Sequence, residues 1–283
     1  MLFWRDHKGR AFGSRSLRRS FNNASIPHAI FLIIKGKHNV ACIYFLNFTE
    51  LYFNSKISYV GSKNKLKRFK ENESFANVFQ PTREELVDNS YSLKGNWNNT
   101  FFKNNNPLVL ELGCGRGEYS VALAKKYPNK NFIGIDIKGA RFWRGAKTAI
   151  EEDLHNVAFL RTQIELIDHA FGKGEVDEIW ITFPDPQIKY KRTKHRMTNA
   201  NFLKRYKTIL KPDGVVNLKT DSEFMHGYTL GLLHGAGHEV LYANHNVYKQ
   251  EGSPEEVTSI QTYYESLYLE QNKPITYIRF KIK

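Results

Sequence analysis

A chain of 283 residues has room for one large α/β domain with an extension, or for two small domains. Its 42 lysines and arginines against 28 acidic residues leave a formal charge of +14, which points to polyanionic partners: nucleic acid or an anionic membrane surface. Two cysteines, Cys42 and Cys114, exclude a disulfide framework or a cysteine metal cluster and fit a reducing, cytoplasmic setting.

Residues 1–59 carry nine basic and two acidic residues and lack helical or strand periodicity. Apolar stretches at 29–34 and 40–48 are separated by Lys35, Lys37 and His38. Neither approaches the roughly 20 residues of a membrane span, so no membrane partner is expected. No apolar core with a small-residue cleavage site follows the first basic residues, so a cleavable signal is not expected either. One reading makes 1–59 an atypical basic arm that orders on RNA. The preferred one makes it translated upstream sequence outside the working protein, because the text changes at Val60-Gly61-Ser62-Lys63-Asn64-Lys65-Leu66-Lys67, which looks like a start. Residues 60–106 then read as a basic, flexible arm with a few helical turns, leading into a domain at 107–283.

That domain opens with Val109-Leu110-Glu111-Leu112-Gly113-Cys114-Gly115-Arg116-Gly117 and a segment, 118–127, of helical apolar spacing. Strand, glycine turn and helix in this order begin a doubly wound nucleotide site. Gly113 and Gly115 let the backbone approach a ligand closely. A second strand delivers Asp136 to the same sheet edge, where a carboxylate can accept both hydroxyls of a ribose. The spacing is G-x-G-x-G, not the G-x-G-x-x-G of dinucleotide sites, and Glu111 stands just upstream. A carboxylate there repels a pyrophosphate and suits a ligand with an ammonium group. S-adenosylmethionine has that group, a sulfonium and no phosphate. It is the cofactor expected, and no metal is. Cys114 reads as a small filler rather than a nucleophile.

Strands are predicted at 108–112, 131–136, 156–161, 176–183 and 214–219, with helices at 118–127, 138–154, 163–171 and 198–210. Such alternation gives an α/β fold, a mostly parallel sheet with helices on both faces. Two late strands, 238–247 and 275–283, bring the sheet to seven, and the clean alternation of the last suits a reversed strand. That is the Rossmann-like arrangement of class I methyltransferases.

The fourth strand runs into Phe183-Pro184-Asp185-Pro186-Gln187. Active sites of open α/β sheets lie beyond the carboxyl ends of the strands, so Asp185 is placed at the reacting centre. Two prolines stiffen its turn. Lys189, Lys191, Arg192, Lys194, His195 and Arg196 follow within twelve residues, a cationic cluster of the kind that positions a phosphate backbone.

With these residues in view, residues 61–283 resemble the bacterial tRNA (guanine-N7-)-methyltransferases. The resemblance rests on the Lys-Asn-Lys-Leu start, the glycine motif, Phe-Pro-Asp-Pro, Leu218-Lys219-Thr220-Asp221 and Thr262-Tyr263-Tyr264-Glu265. It implies methyl transfer to N7 of a guanine in tRNA, expected at position 46 of the variable loop. It implies donor contacts at Glu111, Asp136, Gln163 and Asp185, and substrate contacts at Lys189, Asp221 and the segment from Thr262 to Glu265. Gln163 stands where the family is often acidic, and Gln187 where it usually has Trp. Arg192 and His195 take the places of a usual His and Arg, in swapped order. Other readings are another methyltransferase of the same fold acting on rRNA, protein or a small molecule, a silent RNA-binding relative, and a nicotinamide oxidoreductase. The basic segment after Asp185, the retained acidic triad and the glycine spacing count against them in turn. Monomer and homodimer are both left open.

Overall fold

The computed structural model describes residues 60–283, with side chains from Asn64 onward, and the backbone of four short strands ahead of them. Of these, β1 (Trp4–Arg5) pairs antiparallel with β2 (Ala11–Phe12), and β3 (Leu32–Lys35) with β4 (Ala41–Tyr44). The reading of 1–59 as upstream sequence otherwise lies outside the described residues. The chain divides into two units, Met1–Lys63 and Asn64–Lys283, and the second holds the site.

One eight-stranded sheet organises that unit. Its strands are β5 (Val78–Phe79), β6 (Leu108–Leu112), β7 (Asn131–Ile135), β8 (Val157–Leu160), β9 (Val176–Thr182), β10 (Leu210–Thr220), β11 (Glu239–Asn244) and β12 (Thr276–Lys281). They lie in the order β11-β12-β10-β9-β6-β7-β8-β5. Only β12 runs against its neighbours, antiparallel to β10 and β11, as the alternation at 275–283 predicts. The expected count of seven is corrected to eight. The addition is β5, two residues parallel to β8, too short to leave a period in the sequence.

Alternation along β6 explains the two cores. Leu108, Leu110 and Leu112 face a layer with Ile133, Ile179, Trp97 and Tyr206, while Val109 faces the other with Phe132, Phe159 and Trp180. Glu111 therefore points into the second layer, under α3 (Glu118–Lys126). The segment read as an arm supplies its helical turns, α1 (Val60–Asn72), α2 (Arg83–Val87) and a π-helical turn (Trp97–Phe102). It also supplies core: Trp97 is fully buried, its Nε1 donating to the Ala170 carbonyl at 3.2 Å.

The remaining helices are α4 (Gly139–Glu151), α5 (Ile167–Ala170), α6 (Ala200–Ile209), α7 (Glu223–Gly235), α8 (Glu255–Thr258) and α9 (Tyr263–Glu270). The single helix expected over 163–171 divides into a 3-10 turn, Ile164–Leu166, and α5, because Leu166 leaves the helical region at φ −107°, ψ 14°. From β6 the chain moves outward through β7 and β8, then crosses back to β9 and β10. The strand order thus reverses between β6 and β9, which places a crevice beyond their carboxyl ends.

Candidate active site

The glycine loop leaves β6 at this crevice. Gly113, Gly115 and Gly117 all have positive φ, 75°, 56° and 75°. They do different work. A Cβ on Gly117 would lie 2.4 Å from Phe159 Cε1, so that glycine lets the start of α3 pack on β8. A Cβ on Gly115 would meet nothing nearer than the Gly113 carbonyl at 3.9 Å, so its backbone borders open space. The loop is tied to β7: Gly113 N–H and Cys114 N–H donate to the Ile135 carbonyl at 2.8 and 3.0 Å. Burial pushes the Cys114 thiol well up, which keeps it protonated and inert.

Asp136 closes the loop. Its Oδ2 accepts from Gly115 N–H at 3.1 Å and its Oδ1 from Lys138 N–H at 2.8 Å, leaving each oxygen further acceptor capacity. Glu111 is only 4% exposed. Its Oε2 accepts from the backbone N–H of Ser120 at 2.9 Å and also from the Ser120 hydroxyl, and its Oε1 from Thr182 Oγ1 at 2.7 Å. The Thr182 bond links β6 to β9 across the reversal point. Burial pushes the Glu111 pKa up to about 7; the bonds from Ser120 and Thr182 oppose the rise and the Asp136 charge adds to it. Ser120 and Thr182 are part of the site that sequence reasoning missed. Strand alternation could have placed Thr182, but nothing in the sequence marks Ser120.

The acceptor side is built on the end of β9. Phe183 has φ 49°, and its N–H donates to the Lys219 carbonyl at 2.8 Å. Asp185 is exposed beyond it, and Gln187, also at φ 49°, donates to both of its carboxylate oxygens. A 3-10 turn, Tyr190–His195, follows. Three residues per turn set Arg192 and His195 on one edge, with Lys189 just ahead of it. Lys189 and Arg192 are exposed, and His195 Nδ1 lies 4.0 Å from Glu165 Oε1. Arg196 differs from its neighbours. It is buried, and its guanidinium donates to the carbonyls of Gln187 and Ile188. It is withdrawn from the cationic cluster in which the sequence placed it.

The other predicted residues fall as follows. Gln163 is exposed after β8, its Oε1 accepting from Arg83 Nη1 at 3.5 Å. Asp221 is half-buried after β10, with Lys273 Nζ at 3.9 Å; burial raises its pKa and Lys273 opposes the rise. The segment from Thr262 sits against the glycine loop. Tyr263 N–H donates to Glu118 Oε2 at 2.9 Å, and the Arg116 guanidinium lies 4.6 Å from the Tyr263 ring centre. Thr262 and Glu265 form a capping box at the start of α9. Glu265 is fully buried against Lys219, so its carboxylate has no surface to offer a substrate. Tyr263 and Tyr264, both about half exposed, are the residues of this segment that face outward.

A mostly parallel sheet with one reversed strand, and a glycine loop and acidic residues at the reversal point, define a class I methyltransferase. The 16S rRNA methyltransferase KamB shares the fold with a TM-score of 0.51 at 14% identity, over 65% of this chain and 92% of that one. An antibiotic-related methyltransferase shares it with a TM-score of 0.50 at 17% identity, over 73% and 96%. The model of the family described as "Putative methyltransferase" matches residues 105–278. A tRNA (guanine-N(7)-)-methyltransferase of Christiangramia forsetii is 74% identical over 224 residues, 79% of this chain and 100% of the relative. One of Bacteroides fragilis is 46% identical over 77% of this chain and 85% of its own length. The chain belongs to the tRNA (guanine-N(7)-)-methyltransferase family. No helix among the described residues is long and apolar enough to cross a membrane.

Proposed function

We propose that the chain transfers a methyl group from S-adenosylmethionine to N7 of a guanine in tRNA, with position 46 of the variable loop as the expected target. What supports this reading is that Asp185 and the cationic 3-10 turn follow β9, the strand paired with the β6 that runs into the glycine loop, in a chain 74% identical to a relative of that name.

The donor fits what the residues present. Gly115 leaves its backbone open to a ligand, and Asp136 keeps acceptor capacity on both oxygens for a ribose. Glu111 and Asp136 give the loop an acidic lining suited to a cation. When bound, S-adenosylmethionine would supply a methyl group on a positively charged sulfur.

Guanine N7 has a lone pair at neutral pH, so the protein need not supply a general base. Its work is to hold the base in line with the methyl group. Positive charge develops on the purine as N7 is alkylated, and in this reading the carboxylates of Asp185 and Asp221 stabilise it. Lys189, Arg192 and His195, along one edge of their turn, hold the phosphate backbone. The target base leaves its tertiary contacts to enter, at a cost of a few kcal/mol. Gln163, less suited to the donor than an acidic residue, contributes a neutral contact at most.

The test incubates the full chain with methyl-labelled donor and unmodified tRNA. Label in tRNA is expected; label in protein alone, or none, would overturn the reading.

A further inference from the structure

Asp185 is exposed, yet its carboxylate is held. Gln187 N–H donates to Oδ1 at 3.1 Å and the Gln187 amide Nε2 donates to Oδ2 at 3.0 Å. Two donors from one residue, one on each oxygen, fix the plane of the carboxylate as well as its position. Gln187 makes these bonds from a left-handed backbone, φ 49°, which non-glycine residues rarely adopt. Such a conformation persists only where surrounding structure enforces it.

Here Arg196 does so. It is 6% exposed, its Nε donates to the Gln187 carbonyl at 3.2 Å, and its Nη2 donates to the Ile188 carbonyl at 3.2 Å. The guanidinium is itself fixed, lying 4.8 Å from the Phe224 ring centre and 4.4 Å from that of Tyr228, both on α7. A continuous set of contacts thus runs from α7 through Arg196 and Gln187 to Asp185. At the other end of the loop Phe183, also left-handed, is tied to β10 through Lys219. The loop is braced on both sides of the one carboxylate it presents.

We propose that Gln187 is the positioning residue for Asp185 and that Arg196 sets Gln187. Resting on the assignment of Asp185 to the reacting guanine, this gives a role to the position at which the chain departs from the Trp usual in the family. Gln187 acts through Asp185, so its loss slows turnover without weakening either substrate. Were its amide only occupying the place the guanine takes, its removal would leave turnover unchanged or raise it.

The experiment compares wild type with Gln187→Met, which keeps the length of the side chain without its amide, and Gln187→Glu, which sets a carboxylate against Asp185. Turnover, KM for tRNA, donor affinity and thermal midpoint are measured on the full chain. For Gln187→Met a fall in kcat of roughly tenfold is expected, the scale of one hydrogen bond to a charged group. KM for tRNA and donor affinity should stay within about twofold, and the midpoint should hold. Gln187→Glu should lose more turnover than Gln187→Met, through like-charge repulsion. Unchanged or faster turnover in Gln187→Met, or a loss confined to KM for tRNA, overturns the proposal. Wild type that makes no 7-methylguanosine sinks the assignment of Asp185 itself, whereas wild type that makes it beside an unaffected Gln187→Met sinks only the role of Gln187.

Discussion

Lys219 Nζ lies 2.7 Å from Glu265 Oε1 and donates to Oε2 at 2.8 Å, with both side chains fully buried. The Tyr248 hydroxyl donates to the same carboxylate at 2.8 Å, and Lys219 also donates to the Ile260 carbonyl at 3.0 Å. Burial lowers the Lys219 pKa and Glu265 opposes the fall. This pair joins the end of β10 to the cap of α9, and so fixes the segment that carries Tyr263 and Tyr264 against the glycine loop.

Removing one partner leaves an uncompensated buried charge. Glu265→Ala should destabilise the protein by about 3–5 kcal/mol. Lys219→Met combined with Glu265→Gln should recover most of that, because neither charge remains. Urea denaturation of the single and double variants measures both. A Glu265→Ala protein of wild-type stability with weakened tRNA binding would instead make Glu265 a substrate contact.

Glu111 gives the protein a pH dependence of definite sign. Its pKa near 7 exceeds the ordinary 4.5, so the folded chain keeps a proton that the unfolded chain releases between those values. Its contribution to stability is therefore complete below about pH 4.5 and is lost as pH rises through about 7. A cationic donor favours the ionised form, so donor affinity should strengthen as pH rises through the same region. Glu111→Gln should flatten both trends, as read by denaturation midpoints and donor titrations across about pH 5 to 8. Unchanged pH dependence in Glu111→Gln would remove Glu111 from both roles.

The glycines separate packing from ligand approach. Gly117→Ala sets a Cβ 2.4 Å from Phe159 Cε1 and 2.8 Å from Cζ, at a positive φ. It should lose roughly 3 kcal/mol or more of stability, through overpacking and backbone strain together. Gly115→Ala meets no such clash and should lose only about 1 kcal/mol from its left-handed backbone. Its larger effect should be on donor affinity, because the added methyl group borders the open side of the loop. Thermal melts and donor titrations of the two variants distinguish these effects.

Asp185→Ala should reduce methyl transfer by roughly a hundredfold, the scale of losing one oriented electrostatic group. Because the side chain is exposed, stability should not change, and tRNA affinity should change by less than about threefold. Single-turnover rates and tRNA binding on the same preparation decide this. Equal losses in both would make Asp185 a binding residue.

The glycine loop and its Asp136 partner were legible because their pattern is local. An apolar strand, three alternate glycines and a helix follow one another, and strand spacing alone carries Asp136 to the same edge. The reversed β12 was legible from its alternation. What stayed hidden depends on contacts distant in sequence. The two-residue β5 is held by β8 rather than by any period of its own. Arg196 is one cation among six in the text, and only its stacking on α7 makes it structural. Thr262-x-x-Glu265 has the spacing of a capping box, yet the burial of Glu265 depends on Lys219, 46 residues away. That the segment from Thr262 lies against the glycine loop, with Thr262 and Glu265 as support beneath the exposed tyrosines, is likewise visible only in the contacts of the folded chain.

The central claim concerns one atom of one base. Unmodified tRNA, treated with the full chain and S-adenosylmethionine, should be digested to nucleosides and its methylated product identified and mapped. We predict 7-methylguanosine at position 46 of the variable loop, formed roughly a hundredfold more slowly when Asp185→Ala replaces wild type. Methylation only at another atom, such as adenine N1, or of guanines outside that loop would contradict the account.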